Sequence, residues 1–332
     1  MKYKSVLVTR RGGLEAVRIV ENELHSPLAG EARIRVLATP VCQDDVAIRL
    51  GKRPFLKKPP FTPGYTCIGT VEAVGENVTE VAVGDRVAAL TQYGCHAEII
   101  YWDAAELVHV PETLDPAEAT TLILNYLVAY QILHRVAQVK PGDKALIIGA
   151  SGGGGTAFLQ LGQLAGLKMY GLASASKHAI LTGYGAAPID YHRQDFVEVI
   201  RQTEPGGLDY VFNGMGEEYF ERSLSILKRG GKLIHYGGPQ SFTRFLLLVV
   251  KLIFYNLLPN GKTIIGYGTH RLGTDLFKED WARLFELLAA GQIKPIIAKT
   301  LPILDAVTAY EMLESGSVTG NIVLLAPELQ QI

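Results

Sequence analysis

Residues 149–155 form a glycine-rich stretch between an apolar run at 145–148 and a segment at 156–167 whose apolar side chains recur at helical spacing. This order predicts a buried parallel strand, a tight turn and a helix. Glycines at such a turn let the backbone approach a pyrophosphate, whose charge the helix N-terminus stabilises. The stretch therefore predicts a dinucleotide site, with a ligand-free turn as the alternative. The strict pattern has Ala at the first glycine position, and the candidate residues are Ala150, Gly152, Gly153, Gly154 and Gly155.

The residues after the second predicted strand, 168–173, bear on which nucleotide binds. An acidic residue at this point accepts hydrogen bonds from a ribose 2′-hydroxyl. Here Ser174 and Lys177 follow the strand without a carboxylate, and Tyr191 ends the third predicted strand. These side chains can donate to a 2′-phosphate that a carboxylate would repel, so the pattern favours NADP(H), although Lys177 is alternatively a solvated lysine at a helix start. Two later predicted strands end beside the remaining cofactor candidates, Asn213 and Gly237.

Two patterns of elements surround these candidates. Residues 1–121 are predicted to form short strands of uneven length separated by turn signals, typical of a barrel-like β domain. Helices and strands then alternate, which predicts a parallel sheet with right-handed crossovers. The predicted elements include a helix at 117–136 and strands at 208–213 and 232–236. The predicted fold is α/β, a Rossmann doubly wound parallel sheet over 122–271 plus a β-barrel domain. We place the C-terminal remainder, 272–332, with residues 1–121 in that second, discontinuous domain.

Composition excludes several classes of protein. The 332 residues carry a net charge of −1, so no basic field for nucleic acid is expected. Three scattered cysteines without CxxC spacing indicate a reducing, cytoplasmic setting instead of a disulfide scaffold. No secretory signal is visible at the start. The most apolar segment is too short and carries Lys251, so no membrane span is predicted.

Further motifs resemble the medium-chain dehydrogenase/reductase superfamily over nearly the whole chain. They are residues 63–75 (PGYTCIGTVEAVG), 83–87 (VGDRV), 124–130 (LNYLVAY), 139–142 (VKPG) and 185–191 (GAAPIDY). Within the superfamily, the chain is most similar to the zinc-free quinone oxidoreductase branch. The resemblance implies a GroES-like catalytic domain, a Rossmann domain, a homodimer, and NADPH-dependent reduction of quinones or α,β-unsaturated carbonyls.

The residue types argue against a catalytic zinc. Cys42 stands where zinc-dependent relatives have a ligand, but Gly64-Tyr65-Thr66 replaces their Gly-His-Glu, and Asn125 lies where a further ligand is expected. A catalytic zinc needs three Cys, His or carboxylate ligands, and the four-cysteine structural lobe is impossible with three cysteines. We therefore expect no metal. The proton source stays open, with Tyr65, Asn125 and Tyr93 as catalytic candidates.

The apolar segment at 242–258 is similar to a vesicle-membrane-protein-related branch of the zinc-free group. One interpretation is a helix buried against its domain or a dimer partner. The other is a wall for a large apolar substrate or a contact with a membrane surface, with Lys251 at its edge.

The sequence thus predicts an NADPH-dependent, zinc-independent oxidoreductase that transfers hydride to a quinone or α,β-unsaturated carbonyl on a small apolar molecule. Quinones and enones suit a site without metal, because the accepted charge delocalises onto oxygen and needs only hydrogen-bond donors or water. The alternative is an NADPH-binding regulatory protein with little turnover. A zinc alcohol dehydrogenase is the third interpretation.

Overall fold

The computed structural model describes residues 1–53, 57–238, 241–269 and 274–330. The chain forms two compact units. Unit 1 comprises Met1–Leu127 with Thr274–Ile332, and unit 2 comprises Val128–Gly273. The boundary between the two units at residues 127/128 falls within one short helix, Leu127–Gln131.

Unit 1 is built on strands from both ends of the chain, which pair antiparallel except for the parallel pair of β14 and β15. Its strands are β1 (Lys2–Val8), β2 (Val17–Glu23), β3 (Glu31–Val41), β4 (Thr66–Val74), β5 (Arg86–Leu90), β6 (Ile99–Asp103), β7 (Val108–His109), β14 (Ile297–Pro302) and β15 (Asn321–Leu325). β1 and β2 form a hairpin, and the larger sheet has the order β14-β15-β3-β4-β5-β7 with β6 also on β3. The antiparallel pairing of β15 with β3 brings the C-terminal segment into the same sheet as the N-terminal one. Ile34, Val36 and Val71 lie in its core.

The helices of unit 1 come from both parts of its chain. They are α1 (Gln43–Arg49), α2 (Pro116–Thr121), α9 (Thr274–Ala289) and α10 (Ala306–Glu314), and α3 (Leu127–Gln131) crosses the unit boundary. The Asp115 carboxylate accepts the Glu118 N–H at 2.9 Å, which satisfies an otherwise unpaired donor at the start of α2. After α2 the chain continues through a π-helical turn, Leu122–Tyr126, into α3 and a second π-helical segment, Ile132–Ala137. The predicted helix at 117–136 is therefore interrupted twice by wider turns.

Unit 2 is a six-stranded parallel sheet with the order β10-β9-β8-β11-β12-β13. Its elements are β8 (Lys144–Ile148), α4 (Gly153–Leu164), β9 (Lys168–Ala173), α5 (His178–Gly183), β10 (Ala187–Asp190), α6 (Phe196–Thr203), β11 (Leu208–Asn213), α7 (Phe220–Ile226), β12 (Leu227–His235), α8 (Phe242–Leu257) and β13 (Thr263–Gly266). In order along the chain these strands read 3-2-1-4-5-6, the order of a dinucleotide-binding Rossmann sheet. The predicted doubly wound parallel sheet is confirmed.

Several boundaries differ from the predictions. The helix after the glycine stretch begins at Gly153 and not at residue 156, because the glycines themselves supply its first turn. β12 begins at Leu227, five residues before the predicted start of the strand. Leu227 pairs with β11 ahead of a register shift, and Gly230–Gly231 interrupt the apolar pattern by which the strand could be predicted. The third strand of the fold ends at Asp190, so Tyr191 is the first residue beyond it. Five elements were not predicted from the sequence: β2, β7, β14, α1 and α6.

Candidate functional site

The cofactor candidates of unit 2 gather at the carboxyl edge of the parallel sheet. Cα register pairs Ile148 with Leu172 on one side and with Asn213 on the other, so β8, β9 and β11 end side by side. The order reverses direction between β8 and β11, the switch point where open α/β sheets bind ligands. The structure therefore brings together the glycine stretch, the segment that starts at Ser174, and the ends of the later strands.

Two kinds of glycine occupy the turn after β8. A Cβ on Gly155 would lie 2.1 Å from the Gly149 oxygen and 2.5 Å from the Ala150 carbonyl carbon, so helix and strand pack too closely there for any side chain. A Cβ on Gly152 would meet only the Gly149 oxygen at 3.8 Å, and one on Gly154 would meet nothing within 4 Å. The protein itself does not require glycine at the latter two positions. Their missing side chains leave space in front of α4.

The N-terminus of α4 faces this space without help from a side chain. Gly152 is its N-cap residue, and no side-chain hydrogen bond caps the helix within the described residues. The first N–H groups of a twelve-residue helix carry a partial positive charge and form an anion site when nothing else satisfies them. This arrangement fits a pyrophosphate, whose oxygens would accept from these N–H groups where a Cβ would otherwise intrude.

The segment after β9 presents hydroxyls and an amine. Ser174 begins a 3-10 turn, its Oγ lies 3.3 Å from Ser176 Oγ, and its carbonyl accepts the Lys177 N–H at 2.9 Å. Lys177 is partly buried, and this burial lowers the pKa of its ammonium group. These residues lie at the point where an NAD-binding sheet carries its acid.

One carboxylate does lie at this edge, on the strand next to β9. Asp190 pairs with Ala173 across β10 and β9, but it is buried and accepts the His192 N–H at 3.0 Å. Arg193 Nε lies 3.8 Å from its other oxygen and is itself mostly exposed. The carboxylate is thus turned into its own loop, and Arg193 adds a cation beside Tyr191, which is half exposed. The position of Arg193, two residues after Tyr191, was the signal in the sequence by which this cation could have been found.

The remaining two candidates shape the backbone of the edge. The buried Asn213 amide donates to the Gly216 carbonyl at 2.8 Å and accepts the Met215 N–H at 2.9 Å, so its side chain holds the turn after β11. A Cβ on Gly237 would lie 3.0 Å from the Gly214 oxygen, so the two loops pass close together there. Any contact of either residue with a cofactor stays a prediction.

In unit 1, the candidate Tyr65 lies beside a buried polar cluster centred on Asp45. The Asp45 carboxylate accepts the Cys42 N–H at 2.9 Å, the Cys42 thiol at 3.1 Å and the Gly64 N–H at 2.9 Å. Burial, reinforced by Asp45 and Asp44, raises the pKa of the Cys42 thiol, which therefore stays protonated. Burial also raises the pKa of Tyr65, with Asp44 and Cys42 adding to the effect.

His96 is a further member of this buried cluster. Its ring nitrogens lie 3.2 Å from the Tyr310 hydroxyl and 3.4 Å from the Pro40 carbonyl oxygen, and its Nε2 is 4.0 Å from Asp45. Burial lowers the pKa of His96 and favours its neutral form. The sequence separation of Asp45 and His96 hid this contact from pattern analysis.

The donor set of the cluster does not fit a catalytic zinc. Asp45, which accepts the hydrogen bond of the Cys42 thiol, already accepts three hydrogen bonds in all. Across the described part of the chain, His, Cys, Asp and Glu side chains form no group of three that could hold a metal ion. All three cysteines carry free thiols.

The other two catalytic candidates have different partners. Asn125 lies in the π-helical turn and donates its amide to the Asn321 side-chain oxygen at 2.7 Å. Tyr93 lines a cavity of about 280 Å³ under the β1–β2 hairpin, where the Lys57 ammonium lies 4.3 Å from the centre of its ring. The catalytic roles of Tyr65, Tyr93 and Asn125 stay predictions.

Similarity to known families agrees with the two-part architecture. Residues 28–112 match the alcohol dehydrogenase GroES-like domain, and residues 184–324 match the zinc-binding dehydrogenase family. The chain is 30% identical to the synaptic vesicle membrane protein VAT-1 homolog of Danio rerio over 99% of its length and 71% of that protein. It is 29% identical to a 2-haloacrylate reductase of a Burkholderia species, covering 97% and 98% of the two chains. Escherichia coli quinone oxidoreductase, solved in complex with NADPH, superposes with a TM-score of 0.87 at 25% identity and covers 97% and 99% of the two chains.

A GroES-like domain joined to a Rossmann sheet defines a protein of the dehydrogenase/reductase class. The chain belongs to the medium-chain dehydrogenase/reductase superfamily, in its zinc-free quinone oxidoreductase branch. Both the predicted family and the predicted fold are confirmed.

Proposed function

We propose that the protein is an NADPH-dependent oxidoreductase that works without zinc and reduces quinones or α,β-unsaturated carbonyl compounds. The observation that carries the proposal is the open, uncapped glycine turn with Ser174 and Lys177, and no carboxylate, at the end of the next strand. The NADPH complex of the Escherichia coli enzyme and the haloacrylate reductase support the choice of cofactor and substrate class.

Different residues at the carboxyl edge of the sheet would bind different parts of NADPH. The first N–H groups of α4 would hold the pyrophosphate, and Gly152 and Gly154 would admit it. Ser174, Lys177 and Arg193 would donate to the 2′-phosphate. The partly buried Lys177 ammonium gains from an anion beside it, because a neighbouring negative charge offsets the cost of its desolvation.

When bound, NADPH would supply a hydride to the substrate. One hydride and one proton convert a quinone to its hydroquinone or saturate the carbon–carbon double bond of an enone. The proton would come from water or from the hydroxyl of Tyr65 or Tyr93, whereas the amide of Asn125 would donate only a hydrogen bond to the substrate. The raised pKa of Tyr65 keeps its hydroxyl protonated at neutral pH, so it can donate a hydrogen bond to a substrate oxygen.

The cellular location, the homodimer and the domain limits are further parts of the proposal. Free, unpaired cysteines are typical of a reducing compartment, which favours the cytoplasm. In the described residues no helix is both long and apolar enough to cross a membrane. The homodimer, and domain limits at 121/122 and 271/272, are retained as proposals.

A regulatory protein that binds NADPH with little turnover is the second candidate. The hydrogen bonding of Asn125 favours this regulatory function, because the amide of this catalytic candidate already donates to the Asn321 side-chain oxygen. The two functions share the cofactor site and differ only in turnover.

Purified protein with NADPH and a panel of benzoquinones, naphthoquinones, enones and haloacrylates tests the proposal through the absorbance of the cofactor. We expect oxidation of NADPH by at least one class of acceptor. We expect Gly152→Ala to keep the circular dichroism of the wild type and to bind NADPH at least about tenfold more weakly, a cost of about 1.4 kcal/mol. Quenching of NADPH fluorescence without turnover across the panel would select the regulatory function. Absence of binding would reject both.

A further inference from the structure

The cavity of about 280 Å³ under the β1–β2 hairpin lies wholly in unit 1. Its lining residues fall between Tyr3 and Trp102, and they include no residue of the cofactor edge or of the polar cluster around Asp45. A cavity of roughly 150 Å³ is enough to enclose benzene, so this one has room for a ligand of one or two rings. The cavity is therefore a candidate site for a small organic molecule.

Aromatic rings form much of the cavity wall, and residues outside the lining hold two of them in place. The Tyr101 hydroxyl donates to the His25 carbonyl and accepts the His25 N–H, both at 3.0 Å, and the two rings stack with their centres 3.8 Å apart. The Trp102 indole N–H donates to Glu106 at 2.8 Å. Because these rings are already oriented, a flat ligand would bind against them without the entropy cost of ordering the wall.

The hydroxyl groups of the lining differ in whether the chain satisfies them. Ser5 is buried, and its oxygen accepts the Asn22 amide at 2.9 Å. The Tyr3 and Tyr93 hydroxyls are partly exposed, and within residues 1–53, 57–238, 241–269 and 274–330 neither has a hydrogen-bond partner. Burial, reinforced by Tyr101, raises the pKa of Tyr3, so its hydroxyl stays protonated and can donate. Two donors of the wall are thus open to a ligand that accepts hydrogen bonds.

Lys57 adds a positive charge to the same wall. Its ammonium lies 4.3 Å from the centre of the Tyr93 ring, and no carboxylate in the described part of the chain forms an ion pair with it. None of the described lining residues is acidic. A ring face uses no N–H of the ammonium as a conventional donor, so all three can still bond to an anion. Lys57 is exposed whereas Ser5 is buried, which places the charge at the solvent side of the cavity.

The charge and the aromatic wall together select the class of ligand. Ile99 and Ile100, both buried, extend the apolar part of the lining. An inorganic anion would pair with Lys57 and leave this apolar area uncovered. A neutral ring would cover the area and leave the ammonium without an anion. An aromatic carboxylate does both, because charge-assisted hydrogen bonds hold one end and apolar burial holds the other.

We propose that this cavity of unit 1 is a binding site for an aromatic carboxylate. The carboxylate accepts hydrogen bonds from the Lys57 ammonium, with the Tyr3 and Tyr93 hydroxyls as further donors, and the ring packs against Tyr101 and Trp102. The site goes beyond the proposed reaction, since it lies outside the cofactor edge and binding there needs no NADPH.

Isothermal titration calorimetry of the full chain without NADPH, with 2-naphthoate and its neutral analogue 2-naphthamide, tests the proposal. Lys58→Gln is the matched control for Lys57→Gln, because Lys58 is an exposed neighbour outside the lining. We expect wild type and Lys58→Gln to bind the carboxylate at least about tenfold more tightly than the amide, and Lys57→Gln to lose that preference. No binding of 2-naphthoate by wild type, or a preference that Lys57→Gln retains, would overturn the proposal.

Two further titrations of wild type test the wall and the location. We expect acetate to bind at least about 100-fold more weakly than 2-naphthoate, because it leaves the aromatic wall uncovered. Equal affinity would reduce the site to an ion contact at the surface and overturn the proposal. We expect saturating NADPH to change the affinity for 2-naphthoate less than about threefold. Loss of 2-naphthoate binding in its presence would place the carboxylate at the cofactor site instead. Because the first titration contains no NADPH, a failure of the proposed function would leave its result unaffected.

Discussion

The carboxyl edge of the parallel sheet and the polar cluster around Asp45 use their polar groups in opposite ways. At the edge, the N-terminus of α4 has no side-chain cap among the described residues, and Gly152 and Gly154 leave open space in front of it. In the cluster, Asp45 accepts three hydrogen bonds from its own unit. The uncapped N–H groups at the sheet edge can still bind a ligand, whereas the polar groups around Asp45 bond to one another and stabilise the fold.

Under the proposed function, this difference assigns the chemistry to the cofactor. If unit 1 had kept a zinc centre, its polar groups would have to turn toward a metal and a substrate. Instead they bond to one another, and Cys42 remains a protonated thiol beside Asp45. The reducing power of the proposed reaction then comes from NADPH alone.

The largest expected effect separates the two kinds of glycine at the edge. Gly155→Ala would place a Cβ against backbone that cannot move, so we expect it to destabilise unit 2 by about 3 kcal/mol or more. Gly154→Ala meets nothing in the chain and replaces glycine in a helix, so we expect equal or higher stability together with weaker NADPH binding. Thermal unfolding and fluorescence titration measure the two quantities. Equal loss of stability in both variants would break the distinction.

A second prediction concerns the amino edge of the same sheet, where charge has a structural role. Burial alone would raise the pKa of Glu204, but hydrogen bonds from Lys144 and Lys168 at 2.5 and 2.6 Å, with one from Tyr170, lower it from 4.5 to about 2. A lowered folded-state pKa stabilises the protein above pH 4.5, and this stability is lost as the pH falls toward 2.

Glu204→Gln should therefore remove most of the acid sensitivity between pH 5 and pH 2, roughly 2–3 kcal/mol in wild type, and leave NADPH affinity at neutral pH unchanged. Urea unfolding across that pH range measures the slope. An unchanged slope in the variant would show that Glu204 does not carry the effect.

The third prediction addresses Asn125 in unit 1. Asn125→Ala leaves the Asn321 oxygen without its 2.7 Å partner, so we expect a loss of about 1–2 kcal/mol in unfolding free energy. We expect kcat to change less than about threefold, because the amide is engaged within the fold. A kcat reduced about 100-fold at unchanged stability would instead make Asn125 a catalytic residue.

Removal of metal is expected to have no effect. Prolonged dialysis against a chelator should leave both turnover and unfolding temperature unchanged, because the residues around Cys42 do not provide three ligands. Metal analysis of the purified protein provides the control. Stoichiometric zinc, with activity lost on chelation and restored by zinc, would contradict the assignment to a metal-independent reaction.

Local patterns predicted the sheet edge well. The bounds of β9 and β11 agree with the sequence prediction residue by residue, since each is an apolar run between polar or glycine-rich turns. The convergence of the glycine stretch with Ser174 and Asn213 followed from topology, because parallel strands end at a common edge. These inferences needed only neighbouring residues and one rule of strand order.

Contacts between distant residues could not be predicted. Asp45 meets His96, and Asn125 meets Asn321, across separations that carry no periodic signal. The exposure of one apolar face of α8 was equally hidden, because an apolar segment looks the same whether a fold or a partner covers it. Leu248, Leu252 and Tyr255 of α8 pack on the core of unit 2, and burial of the exposed face against a dimer partner stays a prediction.

Cofactor preference tests the central claim most directly. Fluorescence titration gives dissociation constants of NADPH and NADH for wild type, Ser174→Asp, and Ser225→Asp as an exposed control on α7. We expect wild type to bind NADPH at least about tenfold more tightly than NADH, as the control should, and Ser174→Asp to lose that preference through repulsion of the 2′-phosphate. A wild type that binds NADH as tightly as NADPH would contradict the account.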